Sequence, residues 1–297
     1  METRLGRIPA ECERPEPLKF AWPLVLLPEL FTTARHLAVA RGYFASLGWE
    51  VYAPDLRAAA KASRTDTRAS DLSGGLSDGS GDRSNAGGFN GFAALLAEAL
   101  AALGRDAIVI GHGLGGLLAL GAVEQPRVRA AVALAPMLPG FRSPLVTGAA
   151  NWPARWLGRA LKPPRGAVLF HLLADAEPFQ REALMRALVA DDARAALEVV
   201  RGRIKFDGIK LASDARAVPR LIVAGDSDPF APLDQMSEFA ARVGAAIRVV
   251  RRRGHWLVGG RALERAVAEV QRFLVRNLGG DLLLLYPEEW KEPNDEQ

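Results

Sequence analysis

The sequence predicts an α/β fold built on a mostly parallel sheet. Three observations predict it. Short apolar runs alternate with helical patterns of ten or more residues, the sequence form of βαβ units. One of those runs, Ala107 to Ile110, enters a glycine-dense turn, Gly111-His112-Gly113-Leu114-Gly115-Gly116, and then an Ala/Leu-rich helical stretch from Leu114 to Val123. Each turn that could carry chemistry follows a predicted strand, and open parallel sheets keep their sites at those strand ends.

The elements follow in order. Residues 1 to 19 are polar and Pro-rich and predict an extended arm over the surface. Trp22 to Leu27 predicts a buried strand, Ala34 to Leu47 a helix stopped by Gly48, and Trp49 to Ala53 a second strand closed by Pro54-Asp55. The stretch 60–90 is rich in Ser, Gly, Asp and Arg with almost no large apolar side chains. It cannot bury enough surface to offset its ordering entropy, so a mobile loop is expected there. Phe92 to Leu103 predicts a helix ended by Gly104, and Val128 to Leu134 another strand. From about 138 to 206 the alternation stops and helical patterns dominate: Ala154 to Leu161, Ala167 to Ala174, Phe179 to Val189 and Ala193 to Arg201. That block predicts a helical cap inserted into a single domain. Leu221 to Ala224 and Ala246 to Val250 predict the last two strands, Leu233 to Val243 and Arg261 to Asn277 the last two core helices. The tail, 281–297, holds one apolar run, Leu282 to Tyr286, before a charged end. No internal repeat is visible.

Composition narrows the classes. A chain of 297 residues, 49% hydrophobic, suits one large domain with a substantial core. Net charge is +4 and the pI about 9.5, but Arg and Lys are interspersed with acids, so no nucleic-acid partner is expected. Cys12 is the only cysteine, which rules out an internal disulfide and fits a reducing compartment. The N-terminal region carries Glu2, Glu11, Glu13 and Glu16 and is interrupted by Pro15, Pro17 and Pro23, unlike a secretory signal. The apolar run Phe20 to Leu27 is too short to span a bilayer. No membrane span and a cytoplasmic location are therefore expected.

The strand, glycine turn and helix around Gly113 have the form of a nucleophile elbow, Gly-x-Ser-x-Gly. Gly111 and Gly115 hold the glycine positions, and Gly113 stands where serine would be. Other segments extend the pattern: Leu24-Val25-Leu26-Leu27-Pro28-Glu29, Gly48 to Arg57, Ala224-Gly225-Asp226-Ser227-Asp228-Pro229-Phe230 and Gly254-His255-Trp256. On these segments, from about Trp22 to Asn277, the chain resembles the α/β-hydrolase superfamily in its capped form, with glycine in place of the elbow nucleophile. The resemblance implies an α/β-hydrolase fold, a mostly parallel sheet with helices on both faces and an inserted cap.

It also implies roles. In working members the serine attacks, the histidine takes its proton and the acid holds the histidine's tautomer. By resemblance Asp228 is the acid and His255 the base, and Gly113 marks the degenerate nucleophile position. Asp226 lies close by but matches the family pattern less well. The oxyanion hole would use the backbone N–H of Leu114 and one near Leu30. The loop after the first strand usually begins His-Gly in the family; here it begins Pro28-Glu29. A carboxylate pointing inward there would oppose a developing oxyanion. Glu29, Trp152, Trp156, His171 and Trp256 are the expected substrate-side residues, with Phe170 and Phe179 nearby in the cap. The aromatics of the cap can equally form its own core.

The residues leave several readings open. Gly113 either relieves the strain of an elbow no longer needed for attack, or makes room for a substrate or water. His255 and Asp228 are either an inherited pair pinning two loops or a general base and its orienting acid. His112 is read as a packing residue. Arg251-Arg252-Arg253 form either a solvated strand end, with Arg252 on the opposite face from its neighbours, or an anion-capturing mouth. No metal or cofactor is expected. Two functions follow. One is an enzyme acting on a small apolar ester-like or carbonyl substrate through the His255–Asp228 dyad. The other is a catalytically silent protein that binds a small-molecule ligand or a protein partner.

Overall fold

The computed structural model describes residues 1–63, 87–141, 160–161, 163, 172–204 and 218–283. Its centre is an eight-stranded sheet. In chain order the strands are β1 (Glu2–Leu5), β2 (Ile8–Glu13), β3 (Leu24–Leu27), β4 (Val51–Pro54), β5 (Ala107–His112), β6 (Val128–Leu134), β7 (Arg220–Gly225) and β8 (Ala246–Val250). Across the sheet they run β1-β2-β4-β3-β5-β6-β7-β8. From β4 to β8 every pairing is parallel; β1 and β2 add antiparallel to the β4 edge.

The central strands are buried on both sides, as continuous apolar runs require. Alternation divides them between two cores. Val25, Leu27, Val109, Ala131, Ala133, Ile222 and Ala224 face one, with Phe92, Leu96, Leu117, Met236 and Phe239 packed on them. Leu24, Leu26, Ile108, Ile110, Val132, Leu134, Leu221 and Val223 face the other, with Phe44, Trp256, Leu263, Val267 and Val270. The helices that cover these faces are α1 (Ala38–Ser46), α2 (Gly88–Leu103), α3 (Leu114–Gly121), α4 (Pro178–Arg186), α5 (Ala193–Val200), α6 (Leu233–Arg242) and α7 (Gly260–Leu282).

Several expectations change. The N-terminal arm is a hairpin: β2 buries Ile8, Ala10 and Cys12 on alternate positions and pairs Cys12 with Tyr52 of β4. Trp22 precedes its strand rather than opening it, half-buried with the Arg129 guanidinium 5.8 Å from its ring. Residues 56–63 are helical and α2 begins at Gly88, so both ends of the expected 60–90 loop belong to helices. Residues 64–86 lie outside the described residues. The final core helix runs on to Leu282, whose carbonyl accepts from Ala21 N–H, so the apolar run expected in the tail begins as helix.

Of the expected cap, α4 and α5 fall within the described residues; most of the stretches 154–161 and 167–174 lie outside them. The α5 end is tied to the core by charge. Asp192 caps α5 by accepting from Ala195 N–H at 2.9 Å and also accepts from Gly88 N–H at 3.1 Å. Glu198 accepts from Phe89 N–H at 2.8 Å. Two carboxylates from the stretch between β6 and β7 thus satisfy orphan donors at the start of α2.

Candidate functional site

The chain passes from β3 outward to β4 and then crosses back to β5, so the winding reverses between β3 and β5. A crevice opens beyond the carboxyl ends at such a reversal. The loop after β3 carries Glu29 and the loop after β5 carries Gly113. Leu27 pairs with Gly111 in register, which sets the two loops side by side. The turns after β7 and β8 bring Asp228 and His255 to the same edge.

The backbone turns sharply at Gly113. Gly113 sits at φ 53°, ψ −113°, between the end of β5 and the first residue of α3. Few residues other than glycine adopt that conformation without strain. Its carbonyl accepts from Gly116 N–H at 3.0 Å and Met137 N–H at 3.2 Å, which pins the turn. Close approach explains the flanking glycines. A β-carbon on Gly111 would meet the Gly115 carbonyl oxygen at 1.9 Å, and one on Gly115 would meet the Leu27 carbonyl oxygen at 2.5 Å.

Glu29 points inward and is fully buried. Its Oε1 accepts from the backbone N–H of Leu114 at 3.0 Å and from that of Leu30. These are the two donors expected to form the oxyanion hole, and both are spent on Glu29. Its Oε2 lies 2.9 Å from His255 Nε2. A β-carbon at Gly113 would sit 1.0 Å from that same oxygen. The carboxylate therefore fills the space of a residue-113 side chain as well as the hole beside it. The N-terminus of α3, which supplies the Leu114 donor, favours negative charge at this point.

His255 is held between two carboxylates. Its Nδ1 is 2.9 Å from Asp228 Oδ2 and its Nε2 faces Glu29. Asp228 Oδ1 accepts from Phe230 N–H at 2.8 Å, so both oxygens are used. Burial opposes charge on the ring, but Asp228 and then Glu29 outweigh it and push the pKa up to about 10. Both ring nitrogens then donate, one to each acid. A ring held as imidazolium at neutral pH cannot accept a proton.

His112 is the opposite case. Its Nε2 is 2.7 Å from the His255 carbonyl oxygen, which fixes that nitrogen as the N–H. Burial, then the neighbouring His255 charge, lowers its pKa to about 4. The bare Nδ1 has no hydrogen-bond partner among the described residues and lies 4.0 Å from Glu29 Oε2. The packing role holds too: the Trp256 ring meets His112 edge-on at 5.3 Å.

The loop that aims Glu29 is clamped from outside. Asp191 Oδ2 accepts from Phe31 N–H at 2.8 Å and from Arg57 Nε at 2.6 Å. Arg57 also donates to the Glu29 carbonyl oxygen at 2.7 Å, and Thr32 Oγ1 donates to the same atom at 2.9 Å. Phe31 is held at φ 65° within this clamp. Sequence reading did not find Asp191 or Arg57. Arg57 follows a recognisable strand and turn, whereas Asp191 lies in the long stretch between β6 and β7 with no local pattern around it.

The remaining expected residues are dispersed. Trp256 is buried against His112. Trp152, Trp156, Phe170 and His171 lie outside the described residues. Phe179 is 79% exposed at the start of α4. Asp226 does not face His255; it accepts from Arg252 N–H at 2.6 Å and Ser227 Oγ at 3.0 Å, closing the turn. Arg251 to Arg253 lie in that turn past β8, with Arg252 at φ 56°, so strand alternation does not apply to them. Arg253 pairs with Asp175 at 3.5 Å.

Comparison with known proteins follows the same lines. A family profile described as "Alpha/beta hydrolase family" matches residues 20–270. Among solved structures, the monoacylglycerol lipase of Paleococcus ferrophilus is similar at 18% identity and a TM-score of 0.62, covering 90% of this chain and 98% of that one. A thermophilic esterase from Thermogutta terrifontis, malate bound, is similar at 16% identity and TM-score 0.61, over 91% of this chain and 94% of the other. A soluble variant of the Saccharomyces cerevisiae monoglyceride lipase, in complex with a substrate analogue, gives 12% identity and TM-score 0.63, over 93% and 94%. A search of curated proteins finds no match. No helix among the described residues is long and apolar enough to cross a membrane.

Proposed function

The chain belongs to the alpha/beta hydrolase family, and on that premise we propose that it is a catalytically silent member that binds a small molecule or a protein partner. One observation carries the reading: the Glu29 carboxylate occupies the oxyanion-hole donors and the volume of the missing nucleophile side chain at once. An ester carbonyl has no free donor to polarise it there. Losing one oxyanion donor alone costs about 3 kcal/mol of transition-state stabilisation. Here both donors serve a ground-state carboxylate, and that carboxylate is negative where charge would develop.

The test is hydrolysis of short-chain p-nitrophenyl esters, with fluorophosphonate labelling followed by mass spectrometry. The parent protein should show no turnover above the buffer rate and no adduct in the peptide spanning 106–120. Turnover that disappears in His255→Ala would refute the silent reading.

A second reading rests on the intact His255–Asp228 pair at 2.9 Å. In it the dyad works on an ester-like or carbonyl substrate without a covalent serine intermediate. Glu29 must first swing away, leaving His255 free to act as a base. The pH profile separates the two: a working dyad gains rate as His255 loses its proton, whereas a silent site stays flat.

A further inference from the structure

We propose that Glu29, His112 and His255 form a binding site for one divalent transition-metal ion of the zinc type. Glu29 Oε2, His112 Nδ1 and His255 Nε2 all lie within 4.8 Å of one another, and all three residues are buried. Two imidazoles and a carboxylate are a donor set that suits zinc and its first-row neighbours.

The surroundings of the two rings are those of metal ligands. A ligating histidine nearly always gives its other N–H to a carboxylate or a backbone carbonyl. His255 uses Nδ1 toward Asp228 Oδ2 at 2.9 Å, and His112 uses Nε2 toward the His255 carbonyl at 2.7 Å. Each ring therefore turns its remaining nitrogen toward Glu29 Oε2. That nitrogen of His112 carries a lone pair, buried, with no hydrogen-bond partner among the described residues. It faces a carboxylate oxygen at 4.0 Å, and both atoms are acceptors. A cation converts that mismatch into two bonds.

Distances and charge agree. Tetrahedral zinc with bonds of about 2.0–2.1 Å sets its ligand atoms about 3.4 Å apart. The pair at 2.9 Å must open and the pair at 4.0 Å must close, each by roughly half an ångström, and the two ring nitrogens, within 4.8 Å of each other, must draw together by up to about 1.4 Å; side-chain torsions supply these shifts. Two carboxylates, Glu29 and Asp228, face the His255 ring of this buried cluster, and a divalent ion matches their combined charge. One N–H bond breaks at His255 Nε2, one metal–nitrogen bond forms there, and the proton leaves to solvent; nothing is oxidised or reduced. Gly113 keeps the space clear, since its missing β-carbon would have stood 1.0 Å from Oε2.

This inference rests on the closed centre and not on absence of turnover, so metal content and ester hydrolysis are read separately. Chelator-treated protein is titrated with Zn²⁺ by calorimetry. A parallel sample is refolded from urea with Zn²⁺ present, because the site is buried. The expected result is one zinc per chain retained through gel filtration, with a raised Tm. His112→Ala should lose that zinc. Asp228→Asn, which touches the site only through His255, should weaken binding about 10- to 100-fold. Should either variant fail to fold, anomalous X-ray scattering from zinc-grown crystals of the parent locates the ion directly. Absence of stoichiometric zinc in both samples overturns the proposal. So does zinc that survives His112→Ala, or an anomalous peak away from the three atoms.

Discussion

Glu29 and Gly113 are steric complements: a β-carbon on residue 113 would lie 1.0 Å from Glu29 Oε2 and 2.0 Å from its carboxyl carbon. Neither residue can be understood alone. Glycine at 113 relieves the elbow's backbone conformation, and it also vacates the space that the carboxylate occupies.

Strong coupling between the two positions follows. Gly113→Ser alone should destabilise the fold by more than the strain of about 1–3 kcal/mol that a non-glycine residue bears there. The excess comes from expelling a buried carboxylate from its two N–H donors. In a Glu29→Gly background the same serine should cost only the strain. A double-mutant cycle by urea denaturation should therefore show a favourable coupling of about 1–3 kcal/mol. Additive effects would mean that Glu29 already points elsewhere in solution.

The same pair sets expected activity. Gly113→Ser should give weak esterase activity at best, because any rotamer of Glu29 near the hole keeps a negative charge beside the oxyanion. Gly113→Ser with Glu29→Gly frees the donors of Leu30 and Leu114 and lets serine face His255. Regaining one such donor is worth about a hundred- to thousand-fold in rate. Hydrolysis of p-nitrophenyl acetate by parent, single and double variants measures it. A single variant as active as the double would show that Glu29 does not obstruct the hole.

The charge state of His255 should answer to Glu29. Glu29→Gln keeps the shape and the acceptor for Leu30 and Leu114 but removes one of the two carboxylates raising the ring. Its pKa should fall from about 10. Imidazole nitrogen shifts in a pH series of NMR spectra would follow it. An unmoved value would mean that Asp228 alone sets the charge.

Stability should peak near neutrality. His255 has a folded pKa raised from 6.5 to about 10, so its contribution is complete below 6.5 and is lost as pH climbs through 10. His112 has a folded pKa lowered from 6.5 to about 4, so its contribution is complete above 6.5 and is lost as pH falls through 4. Tm against pH should decline on both sides of about 6.5. His255→Gln should flatten the alkaline limb and His112→Gln the acid one; limbs unchanged in both variants would place the titration elsewhere.

The clamp on the Glu29 loop should matter to stability as well. Asp191 is fully buried and pairs with Arg57, itself mostly buried. Asp191→Ala leaves Arg57 and Phe31 N–H without that acceptor, and breaking a buried pair costs about 3–5 kcal/mol. Urea denaturation measures it, and Arg57→Ala in the same background should add little.

The parallel sheet was legible because its strands are short apolar runs, each followed by a turn or a helix pattern. Val128–Leu134 and Ala246–Val250 are strands with the bounds that the sequence implies. The N-terminal hairpin was not legible. Its inward residues in β2 are Ile8, Ala10 and Cys12, too small a set to stand out among Pro9, Glu11 and Glu13. At the site, the turns carrying Asp228 and His255 could be placed because each follows a strand. The direction of Glu29 could not. It depends on Asp191, which binds the same loop from 160 residues away in the chain. No local pattern encodes a contact of that range, and the lone pair of His112 becomes visible only once Glu29 is turned toward it.

The fit between positions 29 and 113 also constrains exchange at each of them. With any side chain at 113, glutamate cannot adopt the rotamer it has here, so the buried position of Glu29 is open only while 113 is glycine. Serine cannot be accommodated at 113 while Glu29 holds its place. A serine placed at 113 can occupy this site only once Glu29 leaves the position in which it satisfies Leu30, Leu114 and His255. The two positions act as an interlock: each residue holds the other in place, and neither can be exchanged for a larger or displaced one without moving its partner.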